Sequence, residues 1–136
     1  MRPGWDTLWM GLASNISKRS CDPRLQVGCV IVTDDNSCVL SVGYNGMAAG
    51  EKNEVDSTEP GQSGAIHAEV NALIKLPFGD FRQRKMYLTH SPCAVCARAI
   101  VNAGIKDVYY IHEYRIKTGL EILEGAGINI YLLQDT

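Results

Sequence analysis

The sequence predicts a single α/β domain over residues 1–136: one mixed five-stranded sheet with helices on both faces, in the order α-β-β-α-β-α-β-α-β. Three observations carry this. The chain has 136 residues, 46% of them hydrophobic, enough for one domain whose core needs no staples. Two β-branched runs separated only by Thr33-Asp34-Asp35-Asn36 make a hairpin, and hence an antiparallel pair. The later strands alternate with helical segments, and a strand–helix–strand unit closes as a parallel, right-handed crossover.

Trp5 to Arg19 reads as a helix because Leu8, Trp9, Leu12, Ala13 and Ile16 recur at three and four residues. Asp6 near its start and Lys18 and Arg19 near its end match the helix dipole. Pro23 disfavours helix at the residue before it and ends the element. Val27 to Val32 is a buried strand and Cys38 to Tyr44 its hairpin partner, closed by Gly43-Tyr44-Asn45-Gly46. The stretch from Gly46 to Gly64 is glycine-rich and polar with Pro60 inside, too long for a plain connector, so a functional loop is expected.

Ala65 to Leu76 is the next expected helix, with Ala68, Ala72 and Leu76 on one face and Pro77 closing it. Met86 to Thr89 is a strand. Cys93 to Ala103 is a helix with Pro92 at its first turn, where a missing N–H costs nothing, and Gly104 at its stop. Asp107 to Ile111 is a strand, Ile116 to Glu124 a helix, Gly125-Ala126-Gly127 a break, and Ile128 to Leu133 the last strand.

Composition narrows the function. Net charge is −2 and the isoelectric point about 5.9. Proteins that grip a nucleic-acid backbone show a basic face, so a small substrate is expected and no nucleic-acid partner. Five cysteines, two of them in a Cys-x-x-Cys, argue against a disulfide framework and for a reducing compartment. Met1 to Met10 lacks the basic start and long apolar run of a signal peptide, and no stretch reaches membrane-span length. The expectation is a soluble, cytoplasmic protein with no membrane partner.

Two short stretches carry the chemistry: His67-Ala68-Glu69 and Pro92-Cys93-Ala94-Val95-Cys96. One imidazole and two thiols can hold a zinc ion at three points and leave its fourth position open, as catalytic zinc requires. Cys93 and Cys96, three apart in the first turn of a helix, put both sulfurs on one face. With His67 opening the other central helix, two positive helix ends would point at one ion and ease thiolate formation. Glu69 is not needed as a ligand and stands close enough to handle the proton of a water at the open position. A Cys-x-x-Cys alone is more often structural zinc or a redox pair. A structural site would want a fourth ligand, which Cys21, Cys29, Cys38, His90 or His112 could supply. The joint pattern, each half opening a helix and the second following a strand, favours catalytic zinc.

That joint pattern is similar to the signature of the zinc-dependent nucleobase deaminases. Around it, Arg19-Ser20-Cys21-Asp22-Pro23 with Gln26-Val27-Gly28, Gly43-Tyr44-Asn45-Gly46-Met47 and Ala103-Gly104-Ile105-Lys106 extend the likeness through most of the chain. The sequence resembles the phage-type members of the cytidine/deoxycytidylate deaminase family. The resemblance implies the three-layer cytidine-deaminase-like fold and zinc-dependent hydrolysis of dCMP to dUMP and ammonia, on the route to thymidylate. It implies one catalytic Zn2+ per chain, held by His67, Cys93 and Cys96, with Glu69 as proton shuttle. It further implies a homohexamer, activation by dCTP with Mg2+ and inhibition by dTTP. Asn45 takes the sugar-binding role, and Ala68 and Ser91 line the base pocket.

Tyr114, past the fourth strand, is a candidate to touch the nucleotide. Arg24, then Arg19, then Arg115 are candidates for the phosphate. Two departures stand out. The loop reads Met47-Ala48-Ala49-Gly50 where the family places proline after Met47, and the insertion that holds a second, structural zinc in some phage relatives is short here, with only His90 and His112 as histidines outside the catalytic motif, so no second zinc is expected. Cys29 and Cys38 then read as small core hydrophobes in strands. The other readings are a zinc deaminase acting on tRNA adenosine or on free cytidine or cytosine, and a non-catalytic zinc-stabilised module.

Overall fold

A computed structural model describes residues 1–134 of the chain. Its elements follow the expected order: α1 (Trp5–Ser17), β1 (Gly28–Thr33), β2 (Val39–Tyr44), α2 (Ala68–Leu73), β3 (Arg84–His90), α3 (Ala94–Asn102), β4 (Asp107–His112), α4 (Thr118–Gly125) and β5 (Asn129–Leu132). The sheet runs β2-β1-β3-β4-β5. β1 pairs antiparallel with both β2 and β3, whereas β3–β4 and β4–β5 are parallel across α3 and α4. The mixed sheet expected from the hairpin and the crossovers is therefore present.

Every residue of β1 is buried, because the sheet is covered on both faces. Cys29 and Ile31, with Met86 and Leu88 of β3, face a core closed by Ala68, Ala72, Ala97, Ile100, Leu120 and Leu123 of α2, α3 and α4. The alternate residues Val30, Val32 and Tyr87 face Trp9, Met10 and Ala13 of α1. This makes three layers: among the described residues, α1 covers one side of the sheet and α2, α3 and α4 the other. Two glycines let the layers close. A Cβ on Gly28 would lie 1.9 Å from the Ala13 carbonyl oxygen of α1, and one on Gly43 would lie 2.5 Å from the Ala68 carbonyl oxygen of α2.

Three details differ from the sequence reading. α2 is half the expected length, because Ile66 leaves helical conformation to bridge Gly46, and the chain turns out after Leu73. On α1, Met10 is buried and Leu8 is 44% exposed: the sheet covers a narrower stripe than the apolar pattern suggests. Cys38 is partly exposed in the β1–β2 turn, where its carbonyl accepts from Thr33 N–H at 2.9 Å, so it is not a core strand residue. Cys29 is buried in β1 as expected. Among the described residues no helix is long and apolar enough to cross a membrane.

Candidate active site

The polar site forms where α2 and α3 begin. Both start from an extended residue that caps them: His67 (φ −67°, ψ 151°) before α2 and Cys93 (φ −73°, ψ 172°) before α3. A cap residue projects its side chain across the mouth of its helix, beside unpaired N–H groups that carry partial positive charge. Two such mouths converge here. His67 Nδ1 lies 3.2 Å from Cys96 Sγ and 3.5 Å from Cys93 Sγ. Each of the three residues offers a ligand atom, and all of these lie within 4.8 Å of one another.

A tetrahedral zinc with bonds of about 2.0 Å to nitrogen and about 2.3 Å to sulfur spaces its ligands near 3.5 Å, so these residues fit the ion. Among the described residues no fourth histidine, cysteine or carboxylate joins the group. Cys21, Cys29, Cys38, His90 and His112 thus stay outside it. The protons are distributed accordingly. The Cys93 thiol is pulled down to about 3 by hydrogen bonds with Cys96 and His67, while Cys96 is pushed up by the same bond and by burial. His67 is raised, chiefly by its bond with Cys93.

Glu69 follows His67 by two residues and is 4% exposed. Burial raises its carboxyl above the ordinary range, partly opposed by a bond from its own backbone N–H and by His67. A buried carboxyl with a raised pKa beside three metal-type ligands is suited to pick up and release a proton.

The cavity around this group is lined by the candidates Asn45, Ala68, Ser91, Tyr114 and Arg24, but not by the phosphate candidates Arg19 and Arg115. Ala68 is fully buried and Ser91 nearly so. Ser91 Oγ accepts the Tyr114 backbone N–H at 2.7 Å, which holds the segment after β4 against the site. Arg24 also borders a neighbouring cleft with Arg115, whereas Arg19 lines neither.

Asn45 is committed to the backbone in a way the sequence does not reveal. Its Oδ1 accepts from Val27 N–H and its Nδ2 donates to the Leu25 carbonyl, both at 2.8 Å. It clamps the segment that carries Arg24, leaving one N–H and one lone pair for a ligand. Asn71 acts similarly, donating to the Tyr44 and Ile66 carbonyls at 2.9 and 3.4 Å and pinning both ends of the long loop. That loop contributes Ser57, Glu59 and Ser63 to the cavity wall, in keeping with a functional rather than connecting role. The sequence reading missed Asn71, and it considered His90 only as a possible fourth metal ligand, whereas His90 lines the cavity. A polar residue at the inner end of a strand is the one local signal that marks His90.

Comparison with known proteins places these residues in context. The family model of the cytidine and deoxycytidylate deaminase zinc-binding region matches residues 3–112. The chain is 35% identical over 136 residues to "ComE operon protein 2" of Bacillus subtilis (strain 168), covering 95% of this chain and 71% of that protein. It is 34% identical over 127 residues to the deoxycytidylate deaminase of Mycobacterium phage D29, covering 82% of this chain and 98% of the phage protein. The chain spans 44% to 71% of the length of the cellular relatives it matches. The crystal structure of dCMP deaminase from the cyanophage S-TIM5 in complex with dCMP and dUMP superposes with a TM-score of 0.87 at 32% identity, over 98% of this chain and 99% of that one.

Proposed function

Since the chain belongs to the cytidine and deoxycytidylate deaminase family, we propose that it hydrolyses dCMP to dUMP and ammonia. The observation that carries this reading is the grouping of His67, Cys93 and Cys96 beside a buried Glu69. The whole-chain likeness to a dCMP-binding structure supports the substrate. When bound, zinc supplies the Lewis acidity that makes water nucleophilic at neutral pH.

The chain's residues do the rest. Glu69 takes a proton from the attacking water and delivers it to ring nitrogen N3, which makes C4 electrophilic. It then takes the proton of the hydroxyl newly bonded to C4 and passes it to the amine, so that the C4–N bond breaks, ammonia leaves and the C4 carbonyl forms. The raised carboxyl suits both halves of this relay. Ala68 and Ser91 flank the base. Asn45 offers its remaining N–H to the sugar while holding the 25–27 segment in place. Tyr114 and Arg24 close the outer end, with Arg24 toward the phosphate.

The test is the fall in ultraviolet absorbance as dCMP becomes dUMP, on zinc-loaded protein and on Glu69→Ala. The variant keeps its zinc and loses about 10²- to 10⁴-fold in kcat. A variant that turns over like the wild type leaves the chain a zinc-stabilised module. The net charge of −2 disfavours the tRNA alternative, since phosphate contacts dominate such binding. Equal use of free cytidine would overturn the nucleotide assignment.

The regulatory reading follows from the same resemblance: a hexamer that supplies thymidylate precursor, activated by dCTP with Mg2+ and inhibited by dTTP. The long loop between β2 and α2 is the element we assign to that response. Flat rates on titrating both triphosphates at subsaturating dCMP remove the regulation, and a monomer by light scattering removes the hexamer.

A further inference from the structure

His90 ends β3 at the cavity wall, and the proton relay above gives it no task. β3 alternates: Met86 and Leu88 enter the core beneath α2 and α3, and Tyr87 enters the core beneath α1. His90, two residues past Leu88, continues the first series onto the face that carries His67 and Glu69, and it lines their cavity.

Its tautomer is set by Thr89. The Gly28 N–H donates to Thr89 Oγ1 at 3.0 Å, and His90 Nδ1 lies 2.8 Å from that same oxygen. Were Nδ1 to carry a hydrogen, Thr89 would accept twice and its own buried O–H would go unused. The hydroxyl therefore donates to Nδ1, and the ring's hydrogen sits on Nε2. Burial, then the charge of His112, whose ring lies tilted with its centroid at 4.8 Å, lowers His90 to about 4, so the ring stays neutral.

We propose that His90 is a further substrate-contacting residue, whose Nε2–H donates to an oxygen of the nucleotide's 5′-phosphate. This rests on the dCMP reading. A group that can only donate needs an acceptor, which in dCMP means N3, O2, the sugar oxygens or the phosphate oxygens, and the sugar is already assigned to Asn45. The base end of the cavity is floored by the buried Ala68, Glu69 and Ser91. His90 is partly exposed and Arg24 exposed, which sets both toward the outer end where a phosphate lies. One neutral donor and one guanidinium together would read the phosphate.

The experiment compares His90→Leu, His90→Gln and His90→Asn in zinc-loaded full-length protein, with dCMP and deoxycytidine as substrates. Leucine raises the KM for dCMP about tenfold with kcat within about twofold, and leaves kcat/KM for deoxycytidine unchanged. Glutamine, whose amide nitrogen reaches the Nε2 position, restores most of the KM. Asparagine, which reaches only the Nδ1 position, does not. An unchanged KM in the leucine variant overturns the proposal. So does rescue by asparagine as good as by glutamine, because the tie to Thr89 would then be what matters. Equal losses on dCMP and deoxycytidine overturn the phosphate contact. If leucine does not fold, the glutamine and asparagine variants decide the matter by themselves. A wild-type chain inert on dCMP fails the deaminase reading first, before any variant is compared.

Discussion

Gly43→Ala tests whether the site depends on the close approach of β2 to α2. A Cβ at this position would lie 2.5 Å from the Ala68 carbonyl oxygen and 2.6 Å from the Ala72 nitrogen, both backbone atoms of α2. Neither can rotate away, so the helix must retreat by roughly 0.9 Å to restore ordinary contact. Such overpacking costs about 1–3 kcal/mol, or about 3 °C in Tm per kcal/mol for a chain of this size. The same shift carries His67 and Glu69 away from Cys93 and Cys96, and a misplacement near 1 Å costs about 10²-fold in rate. Gly43→Ala is therefore expected to lose at least about tenfold in kcat/KM and to bind zinc more weakly.

Ser41→Ala is the control. It deletes the 2.7 Å bond to the Ala72 carbonyl, which keeps the 3.3 Å bond from the Lys75 N–H, a cost of about 0.5–1.5 kcal/mol without forcing α2 outward. Calorimetry, zinc stoichiometry and dCMP turnover on both variants separate displacement from mere destabilisation. The reasoning is refuted if Gly43→Ala keeps wild-type Tm and turnover, or if Ser41→Ala loses as much activity at equal destabilisation.

Three further outcomes are expected. Tyr87→Phe deletes the hydroxyl that donates to the Asp6 carboxylate and ties β3 to α1, so denaturant unfolding should show a loss of about 1.5–3 kcal/mol. Its kcat should stay within about twofold, because this bond lies on the sheet face away from the zinc ligands. Acid stability should carry the mark of His90: its folded-state value of about 4 lies below the ordinary 6.5, so the unfolded chain takes up this proton first. That contribution is complete above pH 6.5 and is lost as pH falls toward 4, so the decline in Tm across this window should be shallower in His90→Gln. Chelation should abolish turnover and lower Tm, with both restored by added zinc, and Cys96→Ser should show no such restoration at equal metal concentration.

The order of elements was legible because burial leaves a periodic trace in local sequence. Val27 to Val32 alternates with nothing polar because both its faces are covered, and a hairpin needs only the four polar residues between its strands. The metal group was equally legible. Cys93 and Cys96 are brought together by one helical turn, and Pro92 marks where that turn begins. The helix before it was overextended, since Ala65-Ile66-His67 has helical composition while its conformation is set by a bridge to Gly46, twenty residues away.

By itself, then, the sequence determined the elements, their alternation and the chemical identity of the ligands, all properties of neighbouring residues. Tertiary structure alone decided that two helix mouths face each other within hydrogen-bonding distance, that Asn45 spends two of its groups on the Leu25–Val27 backbone, and that Thr89 orients His90 through Gly28. The physical reason is range. A hydrogen bond that joins residues 18 or 61 positions apart imposes no period on the chain between them, so it becomes visible once the sheet has brought its ends together.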